Sequence, residues 1–272
     1  MMRIAVGLEY DGGAYAGWQS QRAAASIQET VQAALARVAA EPVALVAAGR
    51  TDAGVHALGQ VAHFDVQALR PMRGWVLGAN THLPPDVSLR WARRVPGHFH
   101  ARYSAEWRTY RYVVRNAGVR SALAAGRATQ IHRPLDHERM QEAGEALVGE
   151  HDFSAFRSSE CQAHSAVRRL RSVMVSRRGE WLCMEVTANA FLHHMVRNIA
   201  GLLIAVGRGD LAPGFAAEVL ASRDRTRNAA TAPPEGLYLW HVSYPRVFGL
   251  PEDQPGDPPD QSAIIVPLPG GE

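Results

Sequence analysis

The chain has 272 residues, 47% hydrophobic and 20% charged, enough for one large or two modest domains with a real apolar core. Its formal net charge is only +3, but residues 249–272 hold five acids and no base; the remaining 29 bases and 21 acids leave +8 on residues 1–248, which favours a polyanionic partner. All 29 bases are arginine, which excludes Schiff-base chemistry and Walker-type phosphate loops, and two isolated cysteines, Cys161 and Cys183, are too few for a zinc site or a disulfide framework.

The opening run MMRIAVGLEYD meets acids at Glu9 and Asp11 and lacks a signal-peptide core. No apolar run approaches membrane-spanning length, so a cytoplasmic chain with no membrane contact is expected. From Arg3 to Tyr10, the residues Ile4, Val6, Leu8 and Tyr10 alternate onto one face of a half-buried strand. The loop after Asp11-Gly12-Gly13 carries Tyr15 and Trp18 beside Gln19 and Gln21; such aromatics either stack on a nucleic acid or plug the end of a sheet. Ser26-Ile27-Gln28-Glu29 has capping-box spacing, and Ile27, Val31, Leu35 and Val38 give the following helix one apolar face.

Two short apolar runs, Pro42 to Ala48 and Leu58 to Phe64, then predict strands, the second continuing to Asp65 and carrying Gln60 and His63. The loop between them is Gly49-Arg50-Thr51-Asp52-Ala53-Gly54-Val55-His56, whose two glycines permit tight or left-handed backbone. In a cleft, a carboxylate two residues from an arginine is held ionised and oriented, which suits a nucleophile or general base. The alternative is an Asx-turn carboxylate capping its own backbone, with Arg50 solvated. A helix is predicted near Trp75 to Leu83, broken by Pro84-Pro85. Val87, Leu89 and Trp91 alternate as a further strand, with Arg90, Arg93 and Arg94 adding positive charge.

The pattern restarts around His98 to Glu106. This divides the chain into an N-terminal α+β domain over 1–105, a C-terminal α+β domain over 106–248, and a tail over 249–272 that holds six of the 16 prolines and reads as disordered. Arg108 to Arg115 predicts a strand with Tyr110, Tyr112 and Val114 on one face; residues 116–135 are loop-rich; Asp136 caps a helix to Leu147. After an irregular stretch from His151 to His164, Arg168, Arg169 and Arg171 cluster ahead of a strand from Val173 to Arg177, and a hairpin at Arg178-Gly179-Glu180 leads into Trp181 to Thr187. A helix from Leu192 to Val206 sets Leu192, Met195, Val196, Ile199, Leu202, Leu203 and Val206 on one face. Arg197 lies almost opposite, either solvated or aimed into a neighbouring cleft. Adjacent helical residues diverge by about 100°, so His193 and His194 are not expected to share a metal. Pro213 opens another helix to Leu220. The stretch Ser222 to Asn228, with Arg223, Arg225 and Arg227, is a candidate RNA-facing loop, and Ala232-Pro233-Pro234-Glu235-Gly236 leads into a last strand, Leu237 to Ser243.

The segment GRTDAGVHALGQVAHFD closely resembles the catalytic motif of the tRNA pseudouridine synthase A family. The likeness runs on through LEYDGGAYAGWQSQ (Leu8 to Gln21), FHARYSA (Phe99 to Ala105), RTYRYVV (Arg108 to Val114), ANAFLHHMVRNIAG (Ala188 to Gly201) and APPEGLYL (Ala232 to Leu239), in the family's order and as far as about Tyr244. The resemblance implies an α+β fold of two related subdomains, with mixed, largely antiparallel sheets flanked by helices and a catalytic cleft between them. It implies isomerisation of uridine to pseudouridine at positions 38, 39 and 40 of the tRNA anticodon stem-loop by a homodimer.

By the same resemblance Asp52 is the nucleophile, attacking C1′ of the sugar or C6 of uracil, or assisting loss of the base through a glycal. Arg50 and Arg197 pair with it, Tyr110 stacks on the base and helps remove the C5 proton, and Leu237 is an apolar residue of the pocket. Since no redox change occurs and no atom leaves, neither cofactor nor metal is required. Two rivals remain: a non-catalytic RNA-binding protein, which explains the net charge equally well, and an aspartate-nucleophile phosphohydrolase. The latter needs magnesium and a second carboxylate close to the first, which Ala53-Gly54 does not offer.

Overall fold

A computed structural model describes residues 1–21 and 24–251, so the expected disordered tail falls, from residue 252 on, outside the described residues. In chain order the elements are β1 (Met2–Tyr10), α1 (Ile27–Ala39), β2 (Val46–Ala47), β3 (His56–Val66), α2 (Met72–His82), β4 (Val87–Val95), β5 (Trp107–Asn116), β6 (Thr129–Ile131), α3 (His137–Glu145), β7 (Gly149–Asp152), β8 (Val167–Arg178), β9 (Trp181–Ala188), α4 (Met195–Gly207), α5 (Phe215–Ser222) and β10 (Leu237–Ser243). They form two compact units, one of Met1–Glu106 with residues 238–251, the other of Trp107–Leu237. Each is a mixed, mostly antiparallel sheet with helices, so the chain is α+β as its sequence predicts.

In the first unit the strand order is β4-β1-β3-β10, with β2 also on β3. β1 is antiparallel to both neighbours, so that Ile4 stands opposite Phe64 and Arg94. Ile4, Val6 and Leu8 are fully buried as the alternation predicts, but Ala5 and Gly7 between them are buried too, so this stretch of β1 is covered on both faces and not half-buried. On the face of Ile4, Phe64 meets Trp75 of α2 edge-on at 5.3 Å. α1 starts where the capping box puts it, with the Ser26 hydroxyl accepting from the Glu29 N–H at 3.3 Å. β10 pairs parallel with β3, Tyr238 opposite His56 and Leu239 opposite Ala57. Chain order assigns this last strand to the second half; its pairing gives all but Leu237 to the first unit.

The expected alternation in β4 holds only in part. Opposite Gly7 and Leu8 the register slips, so Leu8 faces Leu89 while Gly7 faces Trp91, with Arg90 as the extra residue. Trp91 is thereby turned to the other face, where its ring covers Gly7 so closely that a Cβ there would come within 2.2 Å of the indole nitrogen.

In the second unit the order is β5-β9-β8-β7, antiparallel throughout, with β6 added parallel to β5. Tyr110, Tyr112 and Val114 stand opposite Val186, Met184 and Leu182 and are buried with them. Asp136 caps α3 by accepting the N–H groups of Glu138 and Arg139 at 3.0 and 3.1 Å.

Three expectations are corrected here. Arg168, Arg169 and Arg171 lie inside β8 rather than ahead of it. α4 begins at Met195, because His194 adopts φ 61°, which no helix continues. And α4 is buried on every side except at Arg197, so the single apolar face drawn from its periodicity is too narrow for a helix central to its unit. Among the described residues, no helix is long and apolar enough to cross a membrane.

Candidate active site

Asp52 sits half-buried, and Arg50 exposed, on the loop between β2 and β3. The loop is held chiefly through its backbone. Gln60 Nε2 donates to the Gly49 carbonyl at 2.8 Å, Trp18 N–H to the Thr51 carbonyl at 3.0 Å, and Gly54 N–H to the Tyr15 carbonyl at 3.4 Å. A turn over 52–55 is closed by Val55 N–H to the Asp52 carbonyl at 3.2 Å, with Gly54 at φ 76°. Thr51 is buried, and its hydroxyl meets that of Tyr10 at 2.8 Å. Burial pushes the Tyr10 phenol up to about 12.

The Gly12-to-Trp18 segment is the other wall of this loop. Gly17 takes φ 99°, and a Cβ on it would stand 2.6 Å from the Thr51 carbonyl oxygen; one on Gly12 would stand 2.0 Å from that of Val55. Trp18 is 2% exposed, which decides between its two readings: its ring fills the interior beside Tyr10, 6.1 Å away, and is no stacking platform. Tyr15 is anchored by its hydroxyl donating to Asp86 at 2.9 Å, and burial together with that carboxylate raises its phenol to about 12. His56 is buried, accepts Gly12 N–H at Nδ1 (3.1 Å) and stacks on Tyr238 at 4.7 Å. For Thr51, His56 and Gln60 the plain expectation is backbone shaping, and all three fasten the loop. The sign available for Tyr10 was a polar tip at the end of an otherwise apolar strand face.

Tyr110, Arg197 and Leu237 belong to the second unit. Tyr110 is buried on β5, its ring edge-on to Phe191 at 5.1 Å and 83°. Arg197 is half-buried; its Nε donates to the Ala232 carbonyl at 2.8 Å, and Ala232 N–H returns a bond to the Arg197 carbonyl at 3.1 Å. One turn along α4, Gly201 allows the same segment to close in, since a Cβ there would lie 2.0 Å from the Ala230 carbonyl oxygen. The segment is next fixed at Pro233, whose carbonyl accepts the Tyr112 hydroxyl at 2.9 Å while Thr129 donates to that hydroxyl at 2.6 Å. At Gly236 a Cβ would meet Thr129 Oγ1 at 2.7 Å. Leu237, buried, follows directly.

Asn198, fully buried beside Arg197, ties three segments together. Its Nδ2 donates to the Phe156 carbonyl at 2.7 Å, and its Oδ1 accepts from the Thr231 hydroxyl at 2.6 Å and from Arg225 at 3.1 Å. Arg225 also donates to the Ala229 carbonyl and to Thr231. This removes one residue from the expected RNA-facing stretch 222–228: Arg225 is an internal strut, whereas Arg223, 3.6 Å from Asp152, and Arg227 are both exposed. The helical-wheel treatment of His193 and His194 also fails. Neither is in α4, and their rings lie against each other, 4.0 Å apart at 36°.

The candidate residues thus fall in both units. The first offers a carboxylate on a loop whose position is set by the backbone bonds named above. The second offers a guanidinium, a packed phenol and an apolar side chain on segments fastened to one another. Of the five, Asp52 and Arg50 share one loop, and Arg197 and Leu237 are joined through residues 232–237.

A profile described as tRNA pseudouridine synthase matches residues 8–104 and 143–245 of this chain, spans that include Arg50, Asp52, Arg197 and Leu237 but not Tyr110. A tRNA pseudouridine synthase A of Methylococcus capsulatus is 56% identical over 252 residues, 93% of each chain. Proteins of the same name from Nitrosococcus oceani (52% over 250 residues, 92% of this chain and 96% of the relative) and Pseudoalteromonas atlantica (51% over 251 residues, 92% and 95%) are similar over the same extent.

Proposed function

Since the chain belongs to the tRNA pseudouridine synthase family, we propose that it converts uridine to pseudouridine at positions 38, 39 and 40 of the tRNA anticodon stem-loop, with Asp52 as the nucleophile. In this isomerisation the N1–C1′ bond breaks, the C5–C1′ bond forms, and the proton lost from C5 is balanced by one gained at N1. No electron acceptor and no second substrate enter, so the chemistry calls for a pocket, a nucleophile and an acceptor for the C5 proton.

Arg50 and Arg197 hold and orient the Asp52 carboxylate, Tyr110 stacks on the uracil and assists at C5, and Leu237 lines the pocket. A paired or stacked uridine must first leave the RNA stack, at a cost of a few kcal/mol, and contacts of arginine with the phosphates offset it. The working enzyme is a homodimer in the cytoplasm. What supports the reading is the likeness to relatives about half identical over more than nine-tenths of the chain, with a family profile whose matched span includes Arg50 and Asp52. The pinned backbone of that loop suits a nucleophile that must not move between bond breaking and bond making.

Asp52→Asn tests it. The variant is expected to keep its tRNA affinity and to form no pseudouridine. A non-catalytic RNA-binding protein, the rival, would bind alike in both forms, and neither form would leave pseudouridine behind.

A further inference from the structure

Tyr10, Thr51 and Gln60 are buried together behind the Asp52 turn, and their hydrogen bonds have a direction. Gln60 Nε2 lies 2.8 Å from the Gly49 carbonyl oxygen, which can only accept, so the amide nitrogen is fixed on that side. Its second hydrogen is then directed at the Tyr10 hydroxyl oxygen, a long bond of 3.4 Å. With that oxygen accepting, the Tyr10 proton goes to Thr51 Oγ1 at 2.8 Å. The chain runs from Gln60 through Tyr10 to Thr51 and ends one residue before Asp52. The same amide leaves Gln60 Oε1 buried with no hydrogen-bond partner among the described residues. An apolar side chain would avoid that cost, so the residue is kept for its N–H groups.

We infer that Tyr10 and Gln60 are positioning residues for Asp52, acting through Thr51. Gln60 holds the loop at Gly49, and Tyr10 holds the Thr51 side chain. Trp18 holds the Thr51 carbonyl at 3.0 Å, so both sides of the residue preceding Asp52 are set before any RNA arrives. Neither residue needs to touch the substrate. The inference rests on Asp52 being the nucleophile.

The test is single-turnover pseudouridine formation on unmodified tRNA with enzyme in excess, beside a direct measurement of tRNA affinity. Tyr10→Phe and Thr51→Val, each keeping shape and losing a hydroxyl, are expected to lower the rate constant roughly ten- to hundred-fold. Their tRNA affinity should stay within about twofold of wild type. Thr51→Ser, which keeps the hydroxyl, should recover most of the rate. The double variant Tyr10→Phe/Thr51→Val should be no slower than the slower single one, because both remove the same bond. Three results overturn the inference: a wild-type rate in Tyr10→Phe, a loss confined to tRNA affinity, or Thr51→Ser as slow as Thr51→Val. If Tyr10→Phe does not fold, the comparison of Thr51→Val with Thr51→Ser carries the test alone. A wild-type protein that forms no pseudouridine overturns the proposed reaction, and this inference with it.

Discussion

Mild acid should destabilise the first unit through a histidine remote from the chemistry. His63 of β3 is 4% exposed, accepts the Ala101 N–H at Nδ1 (3.1 Å), and is enclosed by the rings of Phe99 and His100. Burial, and after it the positive charges of Arg3 and His100, push its pKa from 6.5 down to about 4. The folded value lies below the unfolded one, so this contribution is complete above about pH 6.5 and is lost as the pH falls towards 4. At pH 5 the unfolded imidazole is almost wholly protonated and the folded one is not, a difference of about 1–2 kcal/mol. Protonation also removes the acceptor for Ala101, in the same direction. His63→Asn supplies an acceptor that does not titrate. Urea unfolding of both proteins at pH 7 and pH 5 should therefore show wild type losing about 1–2 kcal/mol more than the variant on acidification. Equal losses, or a folded His63 titrating near 6.5 by NMR, would refute the reasoning.

Three further outcomes follow from the second unit. Tyr112→Phe deprives buried Thr129 of an acceptor and the partly buried Pro233 carbonyl of a donor, and should cost about 1–2 kcal/mol in urea unfolding. Gly201→Ala drives a methyl into the Ala230 carbonyl; it should displace the segment bonded to Arg197 and cut pseudouridine formation more than tRNA affinity. Arg225→Ala should lower stability by about 1–3 kcal/mol yet leave the salt dependence of tRNA binding unchanged, because its guanidinium is spent on internal acceptors. A shallower salt slope would show that it contacts phosphate after all.

Elements ruled by one local rule were legible in the sequence. The strand β1, the capping box of α1, the Asp136 cap and the last strand, Leu237–Ser243, stand where their residues place them. What escaped depends on partners distant in the chain. The slip at Arg90 answers to Gly7 on the neighbouring strand, and the unit to which β10 belongs is settled by parallel pairing with β3. Periodicity shows where a helix is apolar but not how many sides are covered, so α4 was read as amphipathic although only Arg197 escapes burial. Charge is the least reliable guide: Arg225 reads as an RNA contact and serves as a strut, while nothing local in the sequence shows that Tyr10 and Gln60, on separate strands, fasten the Asp52 loop together.

The central claim is that this chain isomerises uridine in the anticodon arm, and mapping the product tests it most directly. Purified protein is incubated with unmodified tRNA and chelator, without cofactor, and pseudouridine is located by chemical labelling nucleotide by nucleotide. New pseudouridine at positions 38, 39 or 40, absent with Asp52→Asn, is the predicted result. An anticodon arm left entirely as uridine, or modification undiminished by Asp52→Asn, would contradict it.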